Sequence, residues 1–283
     1  TNAGGPGTEL RALHRRGARL TYRLLGEGPL VVLIQGLGLS GTMWGALPQR
    51  LVQDGFSVLT PDNRGTGGSR DAPLPLHMAT LADDIAAMIA DVQGDDGARR
   101  ALCVGISMGG MIAQHVALRH PQKVAGLLLA ATSCGAPYAR LAAPRDLLRL
   151  MGACLRKPGS VNLDDLVFHP KTLREAKHLI DDWNRRVDSQ ATSTKGIIGQ
   201  LLAAATHAAG FSLGSIDCPA EIVTGDNDRL VPTSNARILA ARIGDSRLTI
   251  VPDAGHAFPI EHPEVLPSLI RRLHRRVRET RPS

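Results

Sequence analysis

"ALCVGISMGGMIAQHVAL", residues 101–118, decides how this chain is read. Its first part, "ALCVGI", is apolar on successive residues, the pattern of a strand covered on both faces. The second part, "MGGMIAQHVAL", has apolar residues at helical spacing, and Pro121 marks a stop. Between them Gly105, Ser107 and Gly109 spell G-x-S-x-G in a strand-turn-helix context. The spacing has a steric cause: a serine in a sharp, strained turn needs small residues two before and two after, so that strand and helix can pass closely. Such a turn aims the Ser107 hydroxyl into the crevice. It also presents the Met108 N–H at a helix start, where developing negative charge is favoured.

A serine hydroxyl is a weak nucleophile near neutral pH unless a base removes its proton, so a histidine and an orienting carboxylate are required downstream. Both occur where strand-like runs end. "EIVTGDNDRLVP" puts Asp228 after one late run, and "RLTIVPDAGHAF" puts His256 after the next. Asp226 is a local rival for the acid, with capping or loop bonding as its other role, and Asp253 lies close to His256. Of the ten histidines, His115, His120, His169, His178, His207 and His262 read as helix, cap or surface residues, with His262 before Pro263 starting the last helix. No His or Cys pair has metal-ligand spacing, so neither a metal nor a cofactor is expected.

Outward from this centre, the runs "PLVVLIQ", "FSVLTPD", "ALCVGIS", "VAGLLLAAT", "AEIVTGD" and "RLTIVPD" alternate with helical patterns such as "LADDIAAMIADVQ". This is the alternation of an α/β fold with a mostly parallel, doubly wound sheet. From residue 133 to 217 the β-runs stop, and "RDLLRLMGACL", "TLREAKHLIDDWNRRV" and "GIIGQLLAAATHAAG" read as a helical cap inserted between late core strands. The expected organisation is a flexible lead over 1–16, a core made of 17–132 and 218–283, and a cap over 133–217.

Over residues 17–275 the chain resembles the α/β-hydrolase superfamily of serine hydrolases, esterase- or lipase-like with a helical cap. The order Ser107, Asp228, His256 is that of the family's triad. Residues 225–232 match its G-x-x-D-x-x-V-P segment with Asp228 as the acid, and the following "GH" matches His256 as the base. "DNRGTGGS", residues 62–69, resembles its D-x-R-G-x-G-x-S loop, which is mainly structural. "QGLG", residues 35–38, occupies the place of the family's H-G-x-G loop, which implies an oxyanion hole made by the N–H groups of Leu37 and Met108. Gln35 stands where the family usually has histidine; altered pocket polarity is expected rather than lost catalysis.

"VVLIQGLGLSG", residues 31–41, also has the G-x-G-x-x-G spacing of a dinucleotide-binding turn, with Asp62 about 20 residues on. That alternative predicts nothing about Ser107, Asp228 or His256. Its helix would also contain Gly45 and Pro48, a poor helical interior.

Composition narrows the function classes. The chain has 283 residues, 43% apolar and 21% charged, and no run approaches the roughly 20 apolar residues of a membrane span. The lead "TNAGGPGTE" has no basic or apolar signal region, so cytoplasmic residence is expected. Four scattered cysteines read as reduced and structural. The net charge of +7 includes six arginines between positions 271 and 281. A solvated, arginine-rich last helix explains them better than nucleic acid, since no aromatic interleaving or binding module accompanies the charge.

Gln35, Gly36, Met43, Trp44, Trp183 and Phe258 are candidates for a substrate pocket, with packing between cap and core as the competing role of the aromatics. The expected activity is hydrolysis of a small or medium carboxylic ester through an acyl-enzyme on Ser107, with a small-molecule ester or lactone as the partner. The alternatives are lactone, enol-lactone or carbon-carbon hydrolysis, perhydrolysis, and a ligand receptor on the same fold, because one scaffold hosts many reactions.

Overall fold

The structure is a computed structural model that describes residues 8–71, 73–94, 99–154 and 161–280. Its centre is an eight-stranded sheet. In chain order the strands are β1 (Thr8–Arg15), β2 (Ala18–Leu25), β3 (Leu30–Ile34), β4 (Ser57–Pro61), β5 (Ala101–Ile106), β6 (Val124–Ala130), β7 (Ala220–Gly225) and β8 (Ser246–Val251). Their spatial order is β1-β2-β4-β3-β5-β6-β7-β8, with β1, β2 and β4 joined antiparallel and all other neighbours parallel.

The consecutive apolar runs are explained by coverage on two faces. In β3, Val32 and Ile34 point into one apolar cluster while Val31 and Leu33 point into another, and Leu127 and Leu129 of β6 part in the same way from Leu128. One cluster is closed by α2 (Met78–Gln93), α3 (Met108–Arg119) and α9 (Ser234–Arg242). The other is closed by α1 (Leu47–Gln53) and α11 (Val265–Glu279). Period 2 along a strand thus sorts an unbroken apolar run onto two buried faces.

Two expectations are corrected. The lead over residues 1–16 is not a free segment from Thr8 onward: Thr8–Arg15 is the edge strand β1, paired with β2 through a turn at Arg16 and Gly17, both at positive φ. Residues 1–7 lie outside the described residues. Positive φ at both central positions matches the right-handed twist of the two strands, which is why a glycine follows Arg16. His262 does not start the last helix. It ends α10 (Phe258–Glu261), and α11 begins at Val265.

Between β6 and β7 the chain runs through α4 (Pro144–Cys154), α5 (Asp164–Val167), α6 (Pro170–Glu175), α7 (Lys177–Asp188) and α8 (Thr194–Ala205). The single helical stretch read over "TLREAKHLIDDWNRRV" is broken at Ala176, whose φ of −133° and ψ of 47° leave the helical region. No helix among the described residues is long and apolar enough to cross a membrane.

The chain winds from β3 to β4 on one side and then crosses to β5 on the other, so β3 and β5 are neighbours whose outgoing loops diverge. The crevice at the carboxyl ends of such strands is where an open α/β sheet places its site. Ile34 pairs with Gly105, which sets residues 35–38 directly beside Ser107.

Candidate active site

Ser107 joins β5 to α3 at φ 54° and ψ −124°, outside the regions an L-residue prefers. Its surroundings hold it there. The Ser107 N–H donates to Ala130 O at 2.9 Å, and the Thr132 hydroxyl donates to Ser107 O at 2.7 Å. A Cβ on Gly105 would overlap the Gly109 carbonyl and lie 2.7 Å from Gly110 Cα, and one on Gly109 would overlap the carbonyls of Ile34 and Gln35. The two glycines of the elbow are therefore required by backbone-to-backbone contact between strand, helix and the neighbouring loop.

His256 follows β8 and Asp228 follows β7, and the structure joins them: His256 Nδ1 lies 2.8 Å from Asp228 Oδ2. The Asp228 side chain is fully buried, and its other oxygen accepts the N–H groups of Leu230 (3.0 Å) and Val231 (2.8 Å). Three donors on one carboxylate offset the cost of its burial. With Nδ1–H given to Asp228, neutral His256 keeps its lone pair on Nε2. Among the described residues no hydrogen bond joins His256 to the Ser107 hydroxyl, and such bonds are commonly long before substrate arrives.

The local rivals have other employment. Asp226 accepts the N–H groups of Asp253 (3.2 Å) and Ala254 (3.1 Å), tying the loop that carries His256 back to β7. Asp253 points to solvent and pairs with Lys171 at 2.8 Å.

Leu37 and Met108 each present a main-chain N–H that meets no acceptor among the described residues. The Met108 N–H is free because it opens a helix. In the other loop the groups on either side of the Leu37 N–H are engaged. Gln35 Oε1 accepts from Gly36 N at 3.1 Å, Asn63 Nδ2 donates to Gln35 O at 3.1 Å, and Gly38 N donates to Gln200 Oε1 at 2.8 Å. A Cβ on Gly36 would lie 3.2 Å from Ser107 Cβ, so the loop and the nucleophile are in contact. Gln35 is buried and satisfies its own loop, so its side chain acts on loop shape.

The pocket candidates divide. Trp44 and Phe258 are core residues in the cluster that α1 and α11 close, and the Trp44 Nε1–H donates to Leu33 O at 2.9 Å. Their places in the sequence, beside the site loops, are shared by core packing and pocket lining alike, and burial against the sheet decides. Trp183 packs edge-on to Phe168 in a small cluster with Val167, Ile180 and Ala257, between the helical insertion and the loop of His256. Met43 is buried on the turn after the Gly-rich loop, and Gly36 abuts Ser107.

Several residues at the site escaped sequence reasoning. Glu261 accepts Gly255 N–H, His169 N–H and the Thr172 hydroxyl, each at 2.7 Å, and so ties the loop of His256 to α6. Gln190, Thr192 and Gln200 reach the Gly-rich loop from the insertion. Isolated polar residues give no sequence signal of this kind, because apart from Gly255 the partners named here lie 89 to 162 positions away. A cavity of about 440 Å³ lies at the opposite ends of β5, β6 and β7, bordered by Arg100, Val124 and Pro219, and holds none of the site residues.

The sequence matches the alpha/beta hydrolase fold family over residues 29–263. It is 31% identical over 256 residues to the pimeloyl-(acyl-carrier protein) methyl ester esterase of Aromatoleum aromaticum, across 83% of this chain and 94% of that protein. Among solved structures, a thermophilic esterase from Thermogutta terrifontis superposes with a TM-score of 0.80 at 28% identity, covering 95% of this chain and 99% of the other. A hydrolase from Pseudomonas aeruginosa does so with a TM-score of 0.81 at 28% identity, covering 96% and 99%. Together with the sheet order and the strand-turn-helix at Ser107, these likenesses show that the chain belongs to the α/β-hydrolase fold family and is a hydrolase.

Proposed function

We propose that this protein is a serine hydrolase that cleaves a small or medium carboxylic ester through an acyl-enzyme on Ser107. The observation that carries the proposal is His256 hydrogen-bonded to the buried carboxylate of Asp228, set at the same end of the sheet as a strained Ser107 that is flanked by two N–H groups with no acceptor among the described residues. Likeness to an esterase structure and to a methyl ester esterase sequence supports an ester as substrate.

In this mechanism His256 Nε2 takes the Ser107 proton as Oγ attacks the ester carbonyl, and the negative charge on the former carbonyl oxygen is held by the N–H groups of Leu37 and Met108. The imidazolium, steadied by Asp228, gives its proton to the departing alkoxide, leaving Ser107 acylated. Water deprotonated by the same nitrogen then releases the acid and restores the serine. Each N–H donor supplies about 3 kcal/mol of barrier lowering.

The test is a time course of p-nitrophenyl acetate, butyrate, octanoate and palmitate hydrolysis by the wild-type chain and Ser107→Ala. Turnover that is lost with Ser107 and greatest on the shorter chains is the expected result. A folded wild-type protein inert on all four esters would overturn the proposal and direct attention to lactones, carbon-carbon substrates and ligand reception.

A further inference from the structure

An oxyanion donor works only if it is aimed before the charge develops, since an N–H that must reorient contributes little. The loop that bears the Leu37 N–H is poorly suited to stiffness. It is Gly36-Leu37-Gly38, outside any helix or strand, with Gly38 at φ 72°. Glycine on both sides leaves the peptide many conformations to lose. Most of what holds it comes from 150 and more residues away.

Gln200 is the centre of that hold. It sits in α8, fully buried, and makes one bond in each direction: its Oε1 accepts Gly38 N–H at 2.8 Å and its Nε2 donates to Arg64 O at 2.7 Å. Arg64 is itself buried and locked on Asp84, with one bond of 3.0 Å from Nη2 to Oδ1. The next two contacts come from the chain just before α8. The Thr192 hydroxyl donates to Gly38 O at 2.8 Å, and Gln190 Oε1 accepts Ser40 N–H at 3.0 Å and the Ser40 hydroxyl at 2.6 Å. With Gly36 N–H on Gln35 Oε1, the peptide that carries the Leu37 N–H is bracketed by pinned neighbours on both sides.

The body that supplies these bonds is fixed. Gly196 of α8 meets Gly65 backbone to backbone, such that a Cβ on Gly65 would lie 2.6 Å from Gly196 Cα. Ser193 N–H donates to Gly65 O at 3.3 Å, and Thr66 bridges Thr192. A helix seated this closely cannot swing away from the loop over residues 62–69 without breaking these contacts.

We infer that Gln200, assisted by Thr192 and Gln190, is a positioning residue that aims the Leu37 N–H at the oxyanion, so that the helical insertion completes the oxyanion hole as well as roofing it. The inference rests on the serine-hydrolase proposal above. Neither Gln200 nor its helpers touch the reacting atoms. Their effect passes through the main chain of Gly38 and Ser40.

The experiment compares the wild type with Gln200→Leu, Gln200→Glu and Thr192→Val, all in the full chain. Competent serines are counted by a fluorophosphonate, and kcat and KM are measured on p-nitrophenyl butyrate. The affinity for a trifluoromethyl ketone, which adds to Ser107 and places an oxyanion in the hole, is measured beside them. Gln200→Leu is expected to lower kcat per titrated serine roughly 10- to 100-fold, less than deletion of a donor, with KM little changed and ketone affinity weakened in step. Thr192→Val, a smaller change that keeps the fold if Gln200→Leu does not, lowers both by roughly 3- to 10-fold on the same reasoning. Gln200→Glu reproduces both bonds when its carboxyl is protonated, so its activity relative to wild type rises as pH is lowered.

If Gln200→Leu and Thr192→Val melt earlier yet keep wild-type kcat and ketone affinity per titrated serine, the residues are merely structural and the inference fails alone. A wild type that neither takes the fluorophosphonate at Ser107 nor loses turnover with Ser107→Ala brings down the serine-hydrolase proposal and the inference together.

Discussion

Among the described residues Ser107 is one of four non-glycine residues at positive φ, and the only one of those four with a hydroxyl. Strain of this kind persists where neighbours over-determine it, and here two backbone-to-backbone contacts do so. Gly105→Ala is expected to lower stability by more than about 3 kcal/mol, read as a urea midpoint shift, because its new methyl would overlap the Gly109 carbonyl. Asp228→Asn tests a different property. The amide fills the same space but misorients the imidazole, so kcat per titrated serine is expected to fall on the order of ten-thousand-fold with the melting temperature nearly kept. Asp226→Asn, which keeps an acceptor for the loop, costs far less in the same assay. At this scale Ser107, Asp228 and His256 were legible, since each stands in a short motif whose spacing is a steric or chemical demand. The fates of Trp44 and Phe258 were not, because an aromatic next to a motif is equally at home in the core.

Six of the eight strands were legible as elements because the sheet is covered on both faces and its central strands are buried along nearly their whole length, so they are written mostly in apolar residues. The hairpin of β1 and β2 was not, since β1 is an edge strand with polar and charged residues on both sides and carries no such run. The most informative element contact is the one made by Glu261. Its carboxylate ties Gly255, next to His256, to α6 through His169 and Thr172. Glu261→Ala leaves three donors without their acceptor and is expected to cost about 3 kcal/mol of stability. It also speeds amide exchange at Gly255 and lowers kcat, an outcome that hydrogen exchange read by mass spectrometry would check. Unchanged exchange at residues 255–257 would show that the loop of His256 holds itself.

The molecule as a whole carries a histidine pair, buried His207 and half-buried His115, that links α3 to the end of the insertion. His115 Nε2 lies 3.2 Å from His207 Nδ1, and the His207 Nε2–H donates to Ser133 O at 3.3 Å. His115 lies on α3 and His207 in the insertion; burial, with a further push from His115, lowers His207 to about 4 from the usual 6.5, and burial lowers His115 as well. The unfolded chain therefore binds protons below about 6.5 that the folded chain refuses until about 4, so stability is full above 6.5 and falls as pH drops through that window. The loss is on the order of 3 kcal/mol, and His207→Gln should flatten the urea midpoint between pH 6.5 and 4.5. What the sequence by itself determined was the framework, strands alternating with helices, together with the strand-turn-helix at Ser107 and the placing of Asp228 and His256 after late strands, on which the proposed chemistry rests. These are set by period and sterics over stretches of ten residues or so. Which aromatics are core, and which distant side chains bond the Gly-rich loop, were decided only by the tertiary structure. Contacts such as Asp228 with His256 and Gly38 with Gln200 join residues 28 and 162 positions apart, and they exist only once the sheet has brought its strand ends together.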